Sequence, residues 1–212
     1  KSIQCCGAWA NDIDGVLPGD AMFSRTLRYG ENHDERRLAS PLVAGDNPDD
    51  SGLGSLDAMV PVVGTLYLQN SGPILIYNGQ EVGEEGAGTE GFGGDDGRTS
   101  IFDYWTMPTH AAWVNGYAYD GGLLDDRNLQ LRQWYVQLMD LALRPGFASG
   151  NFYSLQSMNA SSPDYTLGQY IYSFLRYDNS RDAAFLVVAS HADAGHTFHL
   201  FIPREPLQFM GA

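Results

Sequence analysis

Apolar residues recur at helical spacing in two segments of the chain. The first segment predicts a helix over residues 55–69, in which Pro61 either kinks the helix or marks its first turn. The second predicts a helix over residues 126–144, which Pro145 and Gly146 bring to an end. The apolar stripe of this second helix comprises Leu131, Trp134, Tyr135, Leu138 and Ala142.

Short apolar runs predict strands on either side of the second helix. Residues 26–31 predict a weak strand, and residues 73–77, after the first predicted helix, predict a buried parallel strand. The resulting order of strand, loop, helix and strand indicates a β/α fold. After residue 146 the pattern changes to short strands separated by turn residues, which predicts a small antiparallel sheet. Its four predicted strands span residues 151–155, 169–177, 183–190 and 197–202, with a hairpin loop at 177–182.

A long acidic and Gly-rich stretch, residues 79–126, separates the β/α segment from the second predicted helix. Loops of this length in compact domains are either functional or disordered. The stretch is rich in aromatic side chains, which favour burial or contact with a ligand. It is therefore predicted to be an ordered loop that helps to build a site.

Composition narrows the possible partners. Twelve basic and 26 acidic residues give a formal net charge of −14, which argues against binding to a phosphate backbone and leaves neutral sugars possible. Cys5 and Cys6 are neighbours and provide no disulfide framework. No apolar run approaches the ~18 residues of a transmembrane helix, so no membrane segment is predicted.

The polar triplet Asn32-His33-Asp34 directly follows the weaker predicted strand. At the carboxyl end of a parallel strand, an aspartate can stabilise a developing oxocarbenium ion and a histidine can bond a sugar hydroxyl. A turn or capping role for such a triplet is at least as common. The triplet alone leaves both interpretations open.

A second motif, Gly72-Pro73-x-x-x-Tyr77-x-Gly79-x-Glu81, follows about one β/α unit later. Together with Asn32-His33-Asp34 it resembles glycoside hydrolase family 13, the alpha-amylase family, at its seventh and eighth barrel strands. The runs 91–98 and 101–105 look like the family's loop after the eighth strand. Gly30 departs from the family pattern, which has a larger apolar residue at this place in the strand.

The resemblance implies a fold class and a division into domains. Residues 1–146 would form the C-terminal part of a (β/α)8 TIM barrel, and residues 147–212 a small antiparallel β-sandwich domain with fewer strands than such domains usually have. The chain would then be a fragment of a retaining hydrolase of α-glucosidic bonds in starch or maltodextrins. The nucleophile and the acid/base of the family come from its fourth and fifth strands, so this chain alone is expected to be inactive.

The resemblance also assigns roles to individual residues. Asp34 would be the third catalytic carboxylate, which stabilises the transition state, and His33 and Asn32 would bind substrate. Asp95 and Arg98 would contact a distal sugar or close a simple turn, and Trp105 would stack on a sugar ring or pack in the core.

The expected partners are an α-glucan or maltooligosaccharide and the missing N-terminal part of the barrel. No cofactor or metal is predicted in this chain, although calcium is possible in the parent protein. His196 and His199 differ by an odd number in a predicted strand and so point to opposite faces, which disfavours a shared ion. The alternative function is a non-catalytic carbohydrate-binding or structural piece of an alpha-amylase-like protein. A bacterial periplasmic or extracellular location agrees with the resemblance but is not fixed by the sequence.

Overall fold

The computed structural model of the chain describes residues 25, 27–41, 52–86, 107–160, 170–178, 180, 183–192, 195 and 197–210. Its regular elements follow one another in this order: α1 (Leu56–Leu68), a 3-10 helix (Gln80–Val82), α2 (Pro108–Val114), α3 (Asp126–Ala142), α4 (Pro145–Ala148), β1 (Asn151–Ser154), α5 (Gln156–Ala160), β2 (Ile171–Tyr177), β3 (Ala184–Ser190) and α6 (Arg204–Met210).

The described residues fall into two compact units. The first unit comprises residues 29–41, 52–63, 74–86 and 107–139. The second comprises residues 25, 27–28 and 64–73, together with those from Asp140 onward. The predicted domain boundary at residue 146 stays a prediction.

The helix predicted over residues 55–69 is confirmed as α1. Met59 and Val63, one helical turn apart, are fully buried on its inner face. Pro61 is the sixth residue of the helix, so it lies inside α1 and does not mark its start. Because proline has no N–H, α1 lacks the hydrogen bond that this position would give to the carbonyl of Asp57.

The second predicted helix is confirmed as α3, which ends at Ala142, two residues before the predicted end. At its start, the Asp125 carboxylate accepts a hydrogen bond from the Asn128 N–H at 2.9 Å, the arrangement of a helix N-cap. Leu131, Tyr135 and Leu138 form its buried stripe at helical spacing. Pro145 then begins the short helix α4, because its fixed φ suits a first helical position.

The three strands form one antiparallel sheet in the order β1-β2-β3. Asn151 pairs with Tyr177 across β1 and β2, and Ile171 pairs with Ser190 across β2 and β3. The central strand β2 is buried along six of its seven residues, whereas β3 is largely exposed at alternate positions. The predicted small antiparallel sheet is therefore confirmed for three of its four strands.

The fourth predicted strand, residues 197–202, is wrong, since the described residues of this segment have no strand structure. The side-chain amide of Asn159 takes the place of a strand partner. Its Oδ1 accepts from the Phe201 N–H at 2.8 Å, and its Nδ2 donates to the Phe201 carbonyl at 3.0 Å. The segment leads instead into α6, a helix that the sequence pattern did not predict.

The segments 26–31 and 73–77 do not form continuous strands in their described residues. Arg28 and Ile74 are isolated β-bridge residues, and the Arg28 N–H donates to the Pro73 carbonyl at 2.9 Å. Further along, the Tyr77 N–H is bonded to the side chain of Gln80 in a turn and not to a neighbouring strand. The described residues thus combine helices with a small antiparallel sheet, and no barrel is present among them.

Two arginines organise the second unit. The Arg28 guanidinium donates to the carbonyls of Tyr67 and Gly72. The fully buried guanidinium of Arg176 donates to the Ser71 hydroxyl at 2.7 Å and to the carbonyls of Leu68, Gly146, Phe147 and Gly150 at 2.8–3.2 Å. Burial and the nearby charge of Arg28 lower the pKa of Arg176 to about 9. Arg176 therefore satisfies several carbonyl groups that helix ends and turns leave without backbone partners.

Candidate functional site

The triplet Asn32-His33-Asp34 forms a tight polar turn in the first unit. The Asn32 Oδ1 accepts hydrogen bonds from the N–H groups of Asp34 at 2.8 Å and Glu35 at 3.0 Å. This is an Asx turn, in which the asparagine side chain takes the place of a backbone acceptor. Asn32 therefore holds the backbone that carries His33 and Asp34.

His33 and Asp34 project from this turn toward solvent. The His33 Nε2 lies 3.1 Å from the Asp34 Oδ2, and the two side chains are 49% and 73% exposed. An ionised carboxylate only accepts hydrogen bonds, whereas an imidazole N–H donates them. The turn therefore offers a ligand one negatively charged acceptor and one ring donor, placed side by side.

Glu31, which precedes the turn in sequence, forms a buried ion pair with Arg37, which follows it. The Arg37 Nη1 lies 2.6 Å from the Glu31 Oε1, and neither side chain is exposed to solvent. The second oxygen of Glu31 accepts from the Leu38 N–H at 2.6 Å. Burial raises the pKa of the Glu31 carboxyl, while the Arg37 charge and the Leu38 N–H oppose that shift. The pair closes the loop that carries the exposed turn.

Arg37 also connects the turn to the second motif. Its Nη2 donates to the Asn78 carbonyl at 2.9 Å, and its guanidinium lies 4.3 Å from the centroid of the Tyr77 ring. The same nitrogen lies 3.1 Å from the Met107 Sδ, at the start of α2. One buried side chain therefore contacts both segments that the sequence analysis singled out.

The second motif itself forms a turn that leads into the 3-10 helix. Gly79 has a φ of 88°, in the left-handed region that favours glycine, and a Cβ at this position would lie 3.1 Å from the Cβ of Glu84. Gln80 is buried, accepts from the Tyr77 N–H at 3.1 Å and donates to the Tyr135 hydroxyl at 3.0 Å. The motif is thereby tied to α3.

Glu84, two residues after the 3-10 helix, anchors the next element. Its carboxylate is buried and accepts from the His110 N–H of α2 at 3.0 Å and from the Gly86 N–H at 3.2 Å. A carboxylate near the first turn of a helix is stabilised by the unsatisfied N–H groups there. Glu84 thus helps to fix the position of α2 next to Arg37.

Gly30, the departure from the family pattern, has a local explanation. A Cβ at Gly30 would lie 2.7 Å from the Leu38 Cδ1 and 3.4 Å from the Gln80 Nε2. The space that a larger residue would need at this position is therefore taken by Leu38.

Three of the predicted site residues, Asn32, His33 and Asp34, lie together in the exposed turn. The other three, Asp95, Arg98 and Trp105, lie outside the described residues. The sequence analysis missed Glu31 and Arg37, which support the turn. The only signal for them was an acidic and a basic residue on either side of the triplet, and sequence does not show that such a pair is buried.

The described residues contain no group of three or more His, Cys, Asp or Glu side chains that could hold a metal ion. No helix in the described part of the chain has the length and apolar character that a membrane crossing requires. The chain matches no protein-family model, and it matches no curated protein.

Proposed function

We propose that this chain is the C-terminal part of a retaining alpha-amylase-type glycoside hydrolase that cleaves α-glucosidic bonds of starch or maltodextrins. The chain supplies Asp34 as the third carboxylate of the active site. The nucleophile and the acid/base belong to sequence outside these 212 residues. The proposal thus concerns an enzyme of which this chain forms one part.

The observation that supports this proposal most directly is the bonding of Arg37. This buried arginine pairs with Glu31 at 2.6 Å, directly before the Asn32-His33-Asp34 turn, and donates to the Asn78 carbonyl inside the second motif at 2.9 Å. The two motifs that carry the resemblance are 40 residues apart in sequence if counted from Asn32 to Gly72. Their contact through one side chain is what a shared site requires.

The exposed turn has the chemistry that the proposed role needs. Hydrolysis of a glycoside passes through a transition state in which the sugar ring gains oxocarbenium character. A fixed carboxylate near the ring stabilises that positive charge more strongly in the transition state than in the ground state. Asp34 would supply this charge, and His33 would donate a hydrogen bond to a sugar hydroxyl.

The remaining sugar contacts are assigned by the resemblance alone. Asp95 and Arg98 would bind a distal sugar through hydrogen bonds, and Trp105 would stack on a ring. A neutral glucan is compatible with the formal net charge of −14, since its binding does not depend on neutralising phosphates or carboxylates.

The test uses the protein expressed from its complete coding sequence, with maltoheptaose as substrate. Asp34→Asn should lower kcat by about 100-fold or more, the effect expected when one group that stabilises transition-state charge is lost. Substrate affinity should change only a few-fold, because the removed charge acts mainly in the transition state. Asp126→Asn, which removes an exposed carboxylate at the start of α3, is the matched control and should keep normal turnover.

Near-normal turnover of Asp34→Asn would contradict the role of Asp34. A wild-type protein that binds maltoheptaose without cleaving it would contradict the enzymatic proposal and favour the non-catalytic carbohydrate-binding alternative.

A further inference from the structure

Two tyrosines stand out on the loop that joins α2 to α3 in the first unit. Tyr117 and Tyr119 are 64% and 58% exposed, and their ring centroids are 6.5 Å apart with an interplanar angle of 67°. Tyrosine is usually at least half-buried in folded proteins, so an exposed pair in edge-to-face contact is informative. Apolar surface that is left exposed to water in this way often marks a binding site.

The backbone of this loop is held in an unusual conformation. Asn115, Tyr117 and Tyr119 have positive φ angles of 44°, 74° and 55°, and they are the only residues other than glycine with positive φ in the described part of the chain. Asparagine adopts this region with moderate ease, but a bulky aromatic residue rarely does. Strained backbone of this kind is found preferentially at ligand sites, where it aims a side chain.

A network of hydrogen bonds keeps the loop in this conformation. The Tyr119 N–H donates to the Val114 carbonyl at 3.0 Å, and the Asp120 carboxylate accepts from the Asn115 amide at 2.8 Å and the Gly122 N–H at 2.9 Å. These bonds lower the pKa of the Asp120 carboxyl. The two tyrosines therefore stand on a loop whose geometry is set before any ligand arrives.

The neighbouring Trp113 has a different role. The Arg132 guanidinium lies over its ring, with the Cζ 3.7 Å from the ring centroid. A Cβ on Gly121 would lie 2.8 Å from the nearest carbon of the same ring. Trp113 is therefore packed within the loop, and Tyr117 and Tyr119 are the aromatic rings that face outward.

We infer that Tyr117 and Tyr119 form a second carbohydrate-binding site, which holds a glucose unit of an α-glucan outside the Asn32-His33-Asp34 turn. The apolar C–H face of a pyranose packs on an aromatic ring, while its hydroxyls bond to polar groups at the rim. Asp120 and Asn115 provide such groups beside the tyrosines. The choice of an α-glucan as ligand rests on the proposed function, whereas the site itself rests on the geometry of the loop.

The site belongs to the same unit as the turn. The helix α2, which precedes the loop, begins at the residue after Met107, whose sulfur lies 3.1 Å from Arg37 below the turn. A helix of seven residues is roughly 10 Å long, at about 1.5 Å per residue. Arg37 and the loop that carries the tyrosines therefore lie at opposite ends of α2.

The experiment measures retardation of the complete protein in native gels that contain soluble starch. The key variant is the double substitution Tyr117→Asn with Tyr119→Asn, because asparagine keeps the left-handed backbone and removes both rings. Its dissociation constant for starch should rise by about tenfold, which corresponds to about 1.4 kcal/mol. Leu123→Ala, which removes an exposed apolar side chain from the same loop, is the control and should be retarded like wild type.

Hydrolysis of maltoheptaose, measured on the same variants, separates this inference from the proposed function. The double variant should keep the wild-type kcat on this short substrate. If the protein hydrolyses maltoheptaose but the double variant is retarded by starch as strongly as wild type, the tyrosine site is wrong and the proposed function stands. If wild type neither cleaves maltoheptaose nor is retarded by starch, both are wrong.

Discussion

The Arg37 Nη1 and the Glu31 Oε1 are 2.6 Å apart, with no solvent-exposed surface on either side chain. The charges are thus desolvated, and each depends on the other to offset that desolvation. The pair brackets five residues, 32–36, which include the exposed turn. Its rigidity fixes both ends of the loop from which Asp34 projects.

Breaking this buried pair should destabilise the protein far more than breaking an exposed one. Arg37→Met leaves the Glu31 carboxylate buried without its cation, so the free energy of unfolding should fall by about 3–5 kcal/mol. Arg127→Met is the matched control, because Arg127 also lies 2.6 Å from a carboxylate, that of Asp57, but both groups are largely exposed. Loss of that pair should change the free energy of unfolding by less than about 1 kcal/mol. Urea unfolding of the two variants tests the difference, and equal effects would contradict it.

Local patterns predicted the two longest of the six α-helices in the described residues, α1 and α3. In α1 and α3 the apolar spacing and the flanking Pro and Asp residues are all contained in the element itself, so sequence is sufficient. The hairpin of β2 and β3 was equally local, since its partners are separated only by a short turn. The candidate site residues Asn32, His33 and Asp34 are consecutive, so their place in one turn also depends on local sequence, whereas their role stays a prediction.

Predictions that depended on distant partners were incomplete. The backbone of Phe201 is bonded by Asn159, 42 residues away, and nothing within residues 197–202 signals that contact. Burial of Glu31 and Arg37 depends in the same way on Asn78 and Met107, which are 41 and 70 residues from Arg37. Long-range contacts of single side chains leave no periodic trace in the sequence, which is why the support of the turn was not predicted.

The Asx turn at Asn32 gives a graded prediction. Asn32→Ala removes the acceptor for the Asp34 and Glu35 N–H groups, so the free energy of unfolding should fall by about 1 kcal/mol. The free energy of unfolding of Asn32→Ser should lie between those of Asn32→Ala and wild type, because a serine hydroxyl forms the same turn more weakly. Urea unfolding should therefore rank the three proteins as Asn, Ser and Ala in decreasing stability. Equal stability of all three would show that the turn does not depend on this side chain.

Arg176 gives a prediction for the second unit. Arg176→Lys keeps the positive charge but replaces a planar fork, which reaches five acceptors, with a single ammonium group that has three donors. At least two carbonyl or hydroxyl groups then lose a buried partner, at about 1–3 kcal/mol each. The free energy of unfolding should accordingly fall by more than about 2 kcal/mol. Arg144→Lys, at an exposed position between α3 and α4, should change it by less than about 0.5 kcal/mol. Calorimetric unfolding compares the two, and an unaffected Arg176→Lys variant would mean that the fork is not required.

His191 makes stability depend on pH. Burial lowers the pKa of His191, and its Nε2 is buried without a hydrogen-bond partner among the described residues. Above the ordinary histidine pKa of 6.5, the ring is neutral in the folded and unfolded chains and has no effect on pH dependence. As the pH falls below that value, the unfolded chain takes up a proton that the folded chain does not, so the folded state loses stability until the lowered pKa is passed.

Urea unfolding should be measured between about pH 8 and pH 5, the range in which histidine titrates. The free energy of unfolding should fall toward the acid end of this range in wild type, and should fall less in His191→Gln. His199→Gln, at an exposed histidine, should follow wild type. If the wild-type and His191→Gln curves ran parallel across that range, the lowered pKa of His191 would not contribute to acid sensitivity.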